Sequence, residues 1–168
     1  NINNIRDLSI DDILGRKTVV PDPALTESEI TNKVVLVSGA GGSIGSELCR
    51  QILKQRPSKL ILFERNEAAL FKVQEEINLL INIKTPITYI LGSAQNENLL
   101  KELFVKEKVN VVFHAAAYKH VSLVENNPLQ GIRNNIFSTL SICNAAKFAK
   151  VNKIILISSD KAVRPTNI

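Results

Sequence analysis

The sequence predicts an α/β chain built on a doubly wound, parallel sheet of about five strands. Short β-branched runs alternate with longer segments whose apolar residues recur at helical spacing. The first of these runs stops at a glycine-rich turn that opens the first helical segment. The chain has 168 residues, 45% of them hydrophobic and 22% charged, which suits one soluble domain with a buried core. Strand–helix alternation of this kind implies crossover units and therefore parallel pairing.

Residues 1–32 lack sustained periodicity and contain Leu14-Gly15-Arg16 and the pair Pro21 and Pro23. They read as a lead-in arm with one short helical turn, ahead of a domain spanning 33–168. Val34-Val35-Leu36-Val37 is a buried strand by length and composition. Ser43 to Gln55 places Ile44, Leu48, Gln51, Ile52 and Gln55 at helical spacing, and Pro57 ends that helix. Lys59 to Phe63 is the second strand. Asn66 to Asn82 is the second helix, with Ala69, Leu70, Val73, Ile77 and Leu80 on one face. Ile87 to Leu91 is a third strand, Glu97 to Lys108 a shorter helix, and Val109 to His114 a fourth strand. A long helix follows from about Pro128 to Lys150, with Asn127 as N-cap and Pro128 in the first turn. Its expected buried stripe is Leu129, Ile132, Ile136, Leu140 and Cys143. Lys153 to Ser158 is the fifth strand, with Ser158 facing the sheet interior.

Composition narrows the function classes. No apolar run approaches the roughly 18 to 20 residues that span a bilayer, and no signal peptide opens the chain. Asn1 in place of Met points to processing or excision, which leaves room for a membrane segment upstream. The net charge of +5 suits an anionic substrate such as a nucleotide sugar, or an anionic membrane surface. The cations are scattered along the sequence and aromatics make up only 5%, which argues against a nucleic-acid binder. Cys49 and Cys143 lack metal-ligand spacing and read as buried free thiols in a reducing cytosol. No metal site is expected.

The turn Ser38-Gly39-Ala40-Gly41-Gly42-Ser43-Ile44-Gly45 carries the chemistry. Lying between a strand and a helix, its spaced glycines allow a tight turn, close approach of a pyrophosphate and close helix packing. The helix N-terminus adds free N–H groups and partial positive charge. The fold expectation is thus Rossmann-like, with a dinucleotide on Gly39, Gly41, Gly42, Ser43, Ile44 and Gly45. Glu64 ends the second strand, where an acidic group accepts bonds from ribose hydroxyls and favours NAD; Arg65 could instead meet a 2′-phosphate, which keeps NADP open. Ala115, Ala116 and Ala117 are small enough for a cofactor to lie against the sheet edge, although a tight packing corner would use the same residues. Lys119 and His120 could meet a diphosphate or a sugar, or simply line a solvated loop. His114 and His120 have no partner pattern for metal binding, and a structural role is their default.

Three stretches extend this reading by resemblance. The Gly39-x-x-Gly42-x-x-Gly45 spacing, Ala115-Ala116-Ala117 and Ser158-Ser159-Asp160-Lys161-Ala162 resemble the extended short-chain dehydrogenase/reductase family. Val111 to Val121, Glu125-Asn126-Asn127-Pro128-Leu129, Asn134-Asn135 and Asp160 to Asn167 are similar, more narrowly, to its polysaccharide-biosynthesis nucleotide-sugar 4,6-dehydratases. Ile5-Arg6-Asp7-Leu8 with Leu14-Gly15-Arg16 resembles the segment joining that family's membrane-anchored part to its catalytic domain. The resemblance implies an NAD(P)-dependent lyase that converts a UDP-N-acetylhexosamine, usually UDP-GlcNAc, to a 4-keto-6-deoxy sugar for surface polysaccharide. It further implies a homo-oligomer, cytoplasmic or anchored on the cytoplasmic side of the inner membrane through a region outside this chain.

The same resemblance assigns roles. Asp160 is the acid that protonates the leaving C6 hydroxyl, and Lys161 is the base that takes the C5 proton. Ser159, where the family usually has Thr, hydrogen-bonds the C4 oxygen. Asn135 matches a position that orients the active-site backbone beside the cofactor. Many extended members carry Gly-Asp after the third strand to contact adenine; this chain has Gly92-Ser93, so Ser93 takes that place. The family continues past this point into a helix with a Tyr-x-x-x-Lys-like element and into uridine-diphosphate-binding segments. The chain alone is therefore expected to bind dinucleotide weakly and to turn over no sugar. A nucleotide-sugar C4 epimerase and a non-catalytic dinucleotide-binding module are the alternatives.

Overall fold

The computed structural model describes residues 28–80 and 84–158. Five strands, β1 (Val34–Ser38), β2 (Lys59–Glu64), β3 (Ile87–Leu91), β4 (Val111–His114) and β5 (Lys153–Leu156), form one sheet in the order β3-β2-β1-β4-β5. Every pairing is parallel. The chain winds outward from β1 to β3, then returns to the other side of β1 for β4 and β5. The order therefore reverses between β1 and β4, which is where open parallel sheets bind ligands.

Helices α1 (Ser43–Lys54) and α2 (Glu67–Asn78) cross over one face, while α3 (Glu97–Glu107) and α6 (Ser138–Ala149) cover the other. Two cores result. Val35, Val37, Leu60 and Leu62 pack against Cys49, Ile52, Val73 and Ile77; Leu36, Ile61, Phe63 and Val112 pack against Leu100, Phe104, Ile142 and Ala145. Both faces of β1 and β2 are covered, so their apolar runs are continuous rather than alternating. Asn66 caps α2, accepting a hydrogen bond from the Ala69 amide at 3.0 Å. Leu80, placed by periodicity on that helix's inner face, lies beyond its end and is exposed.

The segment between β4 and β5 departs most from expectation. It begins with an unforeseen helix, α4 (Val121–Glu125), followed by α5 (Pro128–Ile132), a π-helical segment at Arg133–Phe137, and α6. Asn127 precedes Pro128, yet its amide donates to Leu123 O and caps no helix. The expected stripe Leu129, Ile132, Ile136, Leu140 and Cys143 faces outward. The buried face is instead Gly131, Asn134, Ser138, Ser141, Ile142, Ala145 and Ala146. The π-helical segment rotates the helix face, and small residues let α6 approach α3 and the sheet closely. Cys49 is buried, and desolvation pushes its thiol up to about 12, whereas Cys143 is exposed and corrects the expectation of two buried thiols. β5 ends at Leu156, so Ser158 lies past the last ladder bond, from the Ile157 amide to His114 O, and is exposed rather than interior.

Candidate functional site

The site grows from the end of β1. Gly39 has φ +71°, and a Cβ there would lie 2.7 Å from the Ala116 amide nitrogen. Such a backbone admits glycine at little steric cost. A Cβ on Gly45 would lie 2.0 Å from Gly39 O, so the first turn of α1 can sit against the strand end only with glycine there. Gly42 precedes α1 with no side-chain cap, leaving first-turn N–H groups for an anion.

Glu64 braces this turn. One carboxylate oxygen accepts from the Gly41 amide at 3.0 Å; the other accepts from the Arg65 and Asn66 amides at 2.9 and 3.0 Å. The carboxylate thus sits half-buried at the groove edge, held by three backbone donors. Arg65 turns across the groove. Its guanidinium lies 4.7 Å from the Tyr118 ring centroid, donates to the Tyr118 hydroxyl, and donates to Asn134 Oδ1 at 3.1 Å.

Tyr118 is held from below as well. Its amide donates to Asn135 Oδ1 at 2.8 Å, and its carbonyl accepts from Asn135 Nδ2 at 3.0 Å. The Asn135 amide is therefore committed to this loop and acts by positioning its backbone. The π-helical segment carries both Asn134 and Asn135, and such bulges recur at functional sites.

Beneath the loop, His114 Nδ1 lies 2.6 Å from Ser38 Oγ and Nε2 lies 3.1 Å from Thr139 Oγ1. Thr139 spends its proton on Asn135 O at 2.7 Å, so it accepts from His114. Ser38 must then donate to Nδ1, which assigns the neutral Nε2–H tautomer. Burial pushes this imidazole down to about 4. His114 is structural, as expected: it ties the end of β1 to the helix that holds Tyr118.

Three adjoining cavities share Ala115, Ala117 and Tyr118. One, of about 280 Å³, is lined by Glu64, Arg65, Gly92 and Ser93 on the β2–β3 side. A second, of about 510 Å³, is lined by Ser43, Ile44, Gly45, Lys119 and His120. The third, of about 450 Å³, runs between Ile44, Asn135, Leu156 and Ser158. A groove thus extends to both sides of the glycine turn. Lys119 and His120 are exposed on its rim. Ser159, Asp160 and Lys161, like residues 1–27, lie outside the described residues.

Sequence reasoning missed Tyr118 and Asn134, which close the β2 side of the groove. Both lie in stretches that carry the family resemblance, Tyr118 directly after the alanine run and Asn134 beside Asn135, and that was the signal that could have found them. Among the described residues, no group of three or more His, Cys, Asp or Glu could hold a metal ion, and no helix is long and apolar enough to cross a membrane.

Fold and groove define an α/β protein of the Rossmann-like, doubly wound type, with its groove where the strand order reverses. The chain belongs to the polysaccharide biosynthesis protein family, whose model matches residues 35–168, within the extended short-chain dehydrogenase/reductases. It is 41% identical over 167 residues to the capsular polysaccharide biosynthesis protein CapD of Staphylococcus aureus, covering 99% of this chain and 28% of that protein. It is 34% identical to a UDP-glucose 4-epimerase of Rickettsia bellii and 31% identical to an inverting UDP-N-acetylglucosamine 4,6-dehydratase of Campylobacter jejuni, each over 81% of this chain and 39% of the relative. The chain therefore spans well under half the length of these relatives. Among solved structures, Pen from Bacillus thuringiensis aligns with a TM-score of 0.74 at 34% identity, over 82% of this chain and 40% of that one. The UDP-glucose 4-epimerase of Bifidobacterium longum, in complex with NAD+ and UDP, aligns at 0.67 with 25% identity, over 78% and 38%.

Proposed function

We propose that this chain is the cofactor-binding part of an NAD(P)-dependent nucleotide-sugar 4,6-dehydratase acting on UDP-N-acetylglucosamine in surface-polysaccharide biosynthesis. The observation that carries the reading is the sequence Ser159-Asp160-Lys161, which directly follows Ser158, a residue lining the same cavity as Ile44 and the alanine run. Family membership supports a nucleotide-sugar-modifying enzyme, and relatives of both the dehydratase and the epimerase kind match this chain at over 30% identity.

The glycine turn fits a dinucleotide: no Cβ is tolerated at Gly39 or Gly45, and the α1 N-terminus is uncapped. Gly41, Gly42, Ser43 and Ile44 would cradle the pyrophosphate. Glu64 would take the adenosine ribose and Ser93 would face the adenine. NAD is favoured because a 2′-phosphate would meet the Glu64 carboxylate, while Arg65 is already engaged by Tyr118 and Asn134. When bound, the dinucleotide supplies a hydride acceptor for C4 of the sugar and returns that hydride at C6.

The chain's own residues handle the protons. Ser159 hydrogen-bonds the C4 oxygen. Once C4 is a ketone, the C5 proton is acidified; Lys161 takes it, and Asp160 protonates the departing C6 hydroxyl, so that water leaves across C5–C6. Lys119 and His120 would meet the diphosphate or the sugar. The exposed stripe Leu129, Ile132, Ile136 and Leu140 supports a homo-oligomer. Any membrane anchoring, on the cytoplasmic side, would come from a region outside this chain.

The test uses the full-length protein with UDP-N-acetylglucosamine in deuterated water. A 4-keto-6-deoxy product carrying deuterium at C5 is expected. A C4-epimerised sugar with no solvent deuterium would make the protein an epimerase. In Lys161→Met, turnover should vanish while NAD binding remains; unchanged turnover would remove Lys161 from the reaction.

A further inference from the structure

Cations that are scattered along the sequence converge at the base of the sheet, opposite the groove. Parallel strands all begin at one edge and the intervening helices all return to it, so helix C-termini and strand N-termini meet there. Backbone hydrogen bonds stitch this edge together, from Asn32 N to Arg56 O, Ser58 N to Lys33 O, and Asn152 N to Asn110 O. Lys59 and Lys153 are paired with Glu107 and Glu29, and Arg50 with Glu47 and Glu76. Lys54, Arg56, Lys84, Lys106, Lys108 and Lys150 are exposed and make no salt bridge among the described residues. Glu75, in the last turn of α2, is an acid at this edge that makes no salt bridge among the described residues.

Two features go beyond ordinary helix ends. First, Arg56, Lys108 and Lys150 have φ of +52°, +53° and +56°. This left-handed conformation favours glycine. The helix macrodipole rewards a cation anywhere in the last turn, so it does not require the cation at the strained residue. Second, large apolar side chains stand exposed among these cations: Leu79 at 81%, Phe148 at 64% and Val105 at 53%. Val105, Phe148, Lys108 and Lys150 rim one depression of about 280 Å³, while Lys54, Arg56, Lys84 and Leu80 rim another of about 1030 Å³.

We propose that this basal face docks on an anionic lipid bilayer, its cations meeting the headgroups and its apolar side chains entering the headgroup–acyl boundary. Surfaces that combine apolar insertion with positive charge bind in this way. A single-stranded nucleic acid would call for a row of stacking aromatics, and among the described residues Phe148 is the one exposed aromatic at this face. Docked so, the groove at the opposite edge faces away from the membrane. The inference stands independently of which sugar reaction the protein performs.

The test is flotation of the 168-residue chain with vesicles of phosphatidylcholine alone or mixed with phosphatidylglycerol. Binding is expected to the mixed vesicles only and to weaken with added salt. Each basal cation is worth about fivefold, so Arg56→Gln, Lys108→Gln and Lys150→Gln together should weaken it on the order of a hundredfold. Phe148→Ser should weaken it several-fold. Lys72→Glu with Arg133→Gln makes the same change in net charge away from the base and should retain binding, with circular dichroism confirming that all variants fold. The proposal is overturned by absence of phosphatidylglycerol-dependent binding in the parent chain, by equal losses in the two charge variants, or by single-stranded RNA displacing the vesicles from this face.

Discussion

Acidification should destabilise this protein through His114. The imidazole is 2% exposed, and both ring nitrogens are used in the neutral form, Nδ1 accepting from Ser38 and Nε2–H donating to Thr139. Protonation would place a hydrogen on Nδ1 facing Ser38 Oγ at 2.6 Å, inside a site where Ser38 is fully buried. Burial lowers the folded pKa to about 4 from 6.5, so between those values the unfolded chain binds more protons. Stability therefore rises with pH across that window, is level above it, and falls on acidification. The whole shift corresponds to about 3 kcal/mol, of which about 2 kcal/mol is lost between pH 7 and pH 5. Urea unfolding of the parent chain and His114→Gln at both pH values isolates this contribution. The variant should be less stable at pH 7 yet lose about 2 kcal/mol less than the parent on going to pH 5. Equal losses in parent and variant would refute the assignment of His114 as a buried neutral strut.

Further expectations concern the groove. Gly45→Ala would set a methyl group 2.0 Å from Gly39 O; it should lower stability by about 1–3 kcal/mol and weaken NAD binding more than tenfold in titration calorimetry. Glu64→Ala should free the Gly41, Arg65 and Asn66 amides and reduce the preference for NAD over NADP, read as the ratio of the two dissociation constants. Asn135→Ala should cost about 2–3 kcal/mol for three lost side-chain hydrogen bonds, two with the Tyr118 backbone and one from Asn134, and accelerate amide exchange at Tyr118, whereas unchanged exchange there would argue against the clamp.

The strands and the glycine turn are legible in the amino-acid sequence because their causes are local. Val34 to Val37 and Lys59 to Phe63 read as strands through β-branched and other apolar runs, and Asn66 announces the start of α2 through its capping chemistry. Gly39 and Gly45 mark positions where a Cβ has no room. The family resemblance likewise rests on contiguous residues, and the relatives of this chain agree with it.

The failures share one cause. Helical spacing assigns Leu129, Ile132, Ile136, Leu140 and Cys143 to the core, yet the π-helical segment turns them outward and close packing against α3 selects Ser138, Ser141 and Ala145 instead. The Arg65–Tyr118 contact, the Ser38–His114–Thr139 chain and the basal gathering of cations join residues far apart in sequence. No local propensity specifies such pairings. They exist because parallel crossovers bring all strand ends to one edge and all strand starts to the other. Sterics and periodicity within a few residues are written in the chain, whereas the partner of each polar side chain is settled only when the sheet closes around it.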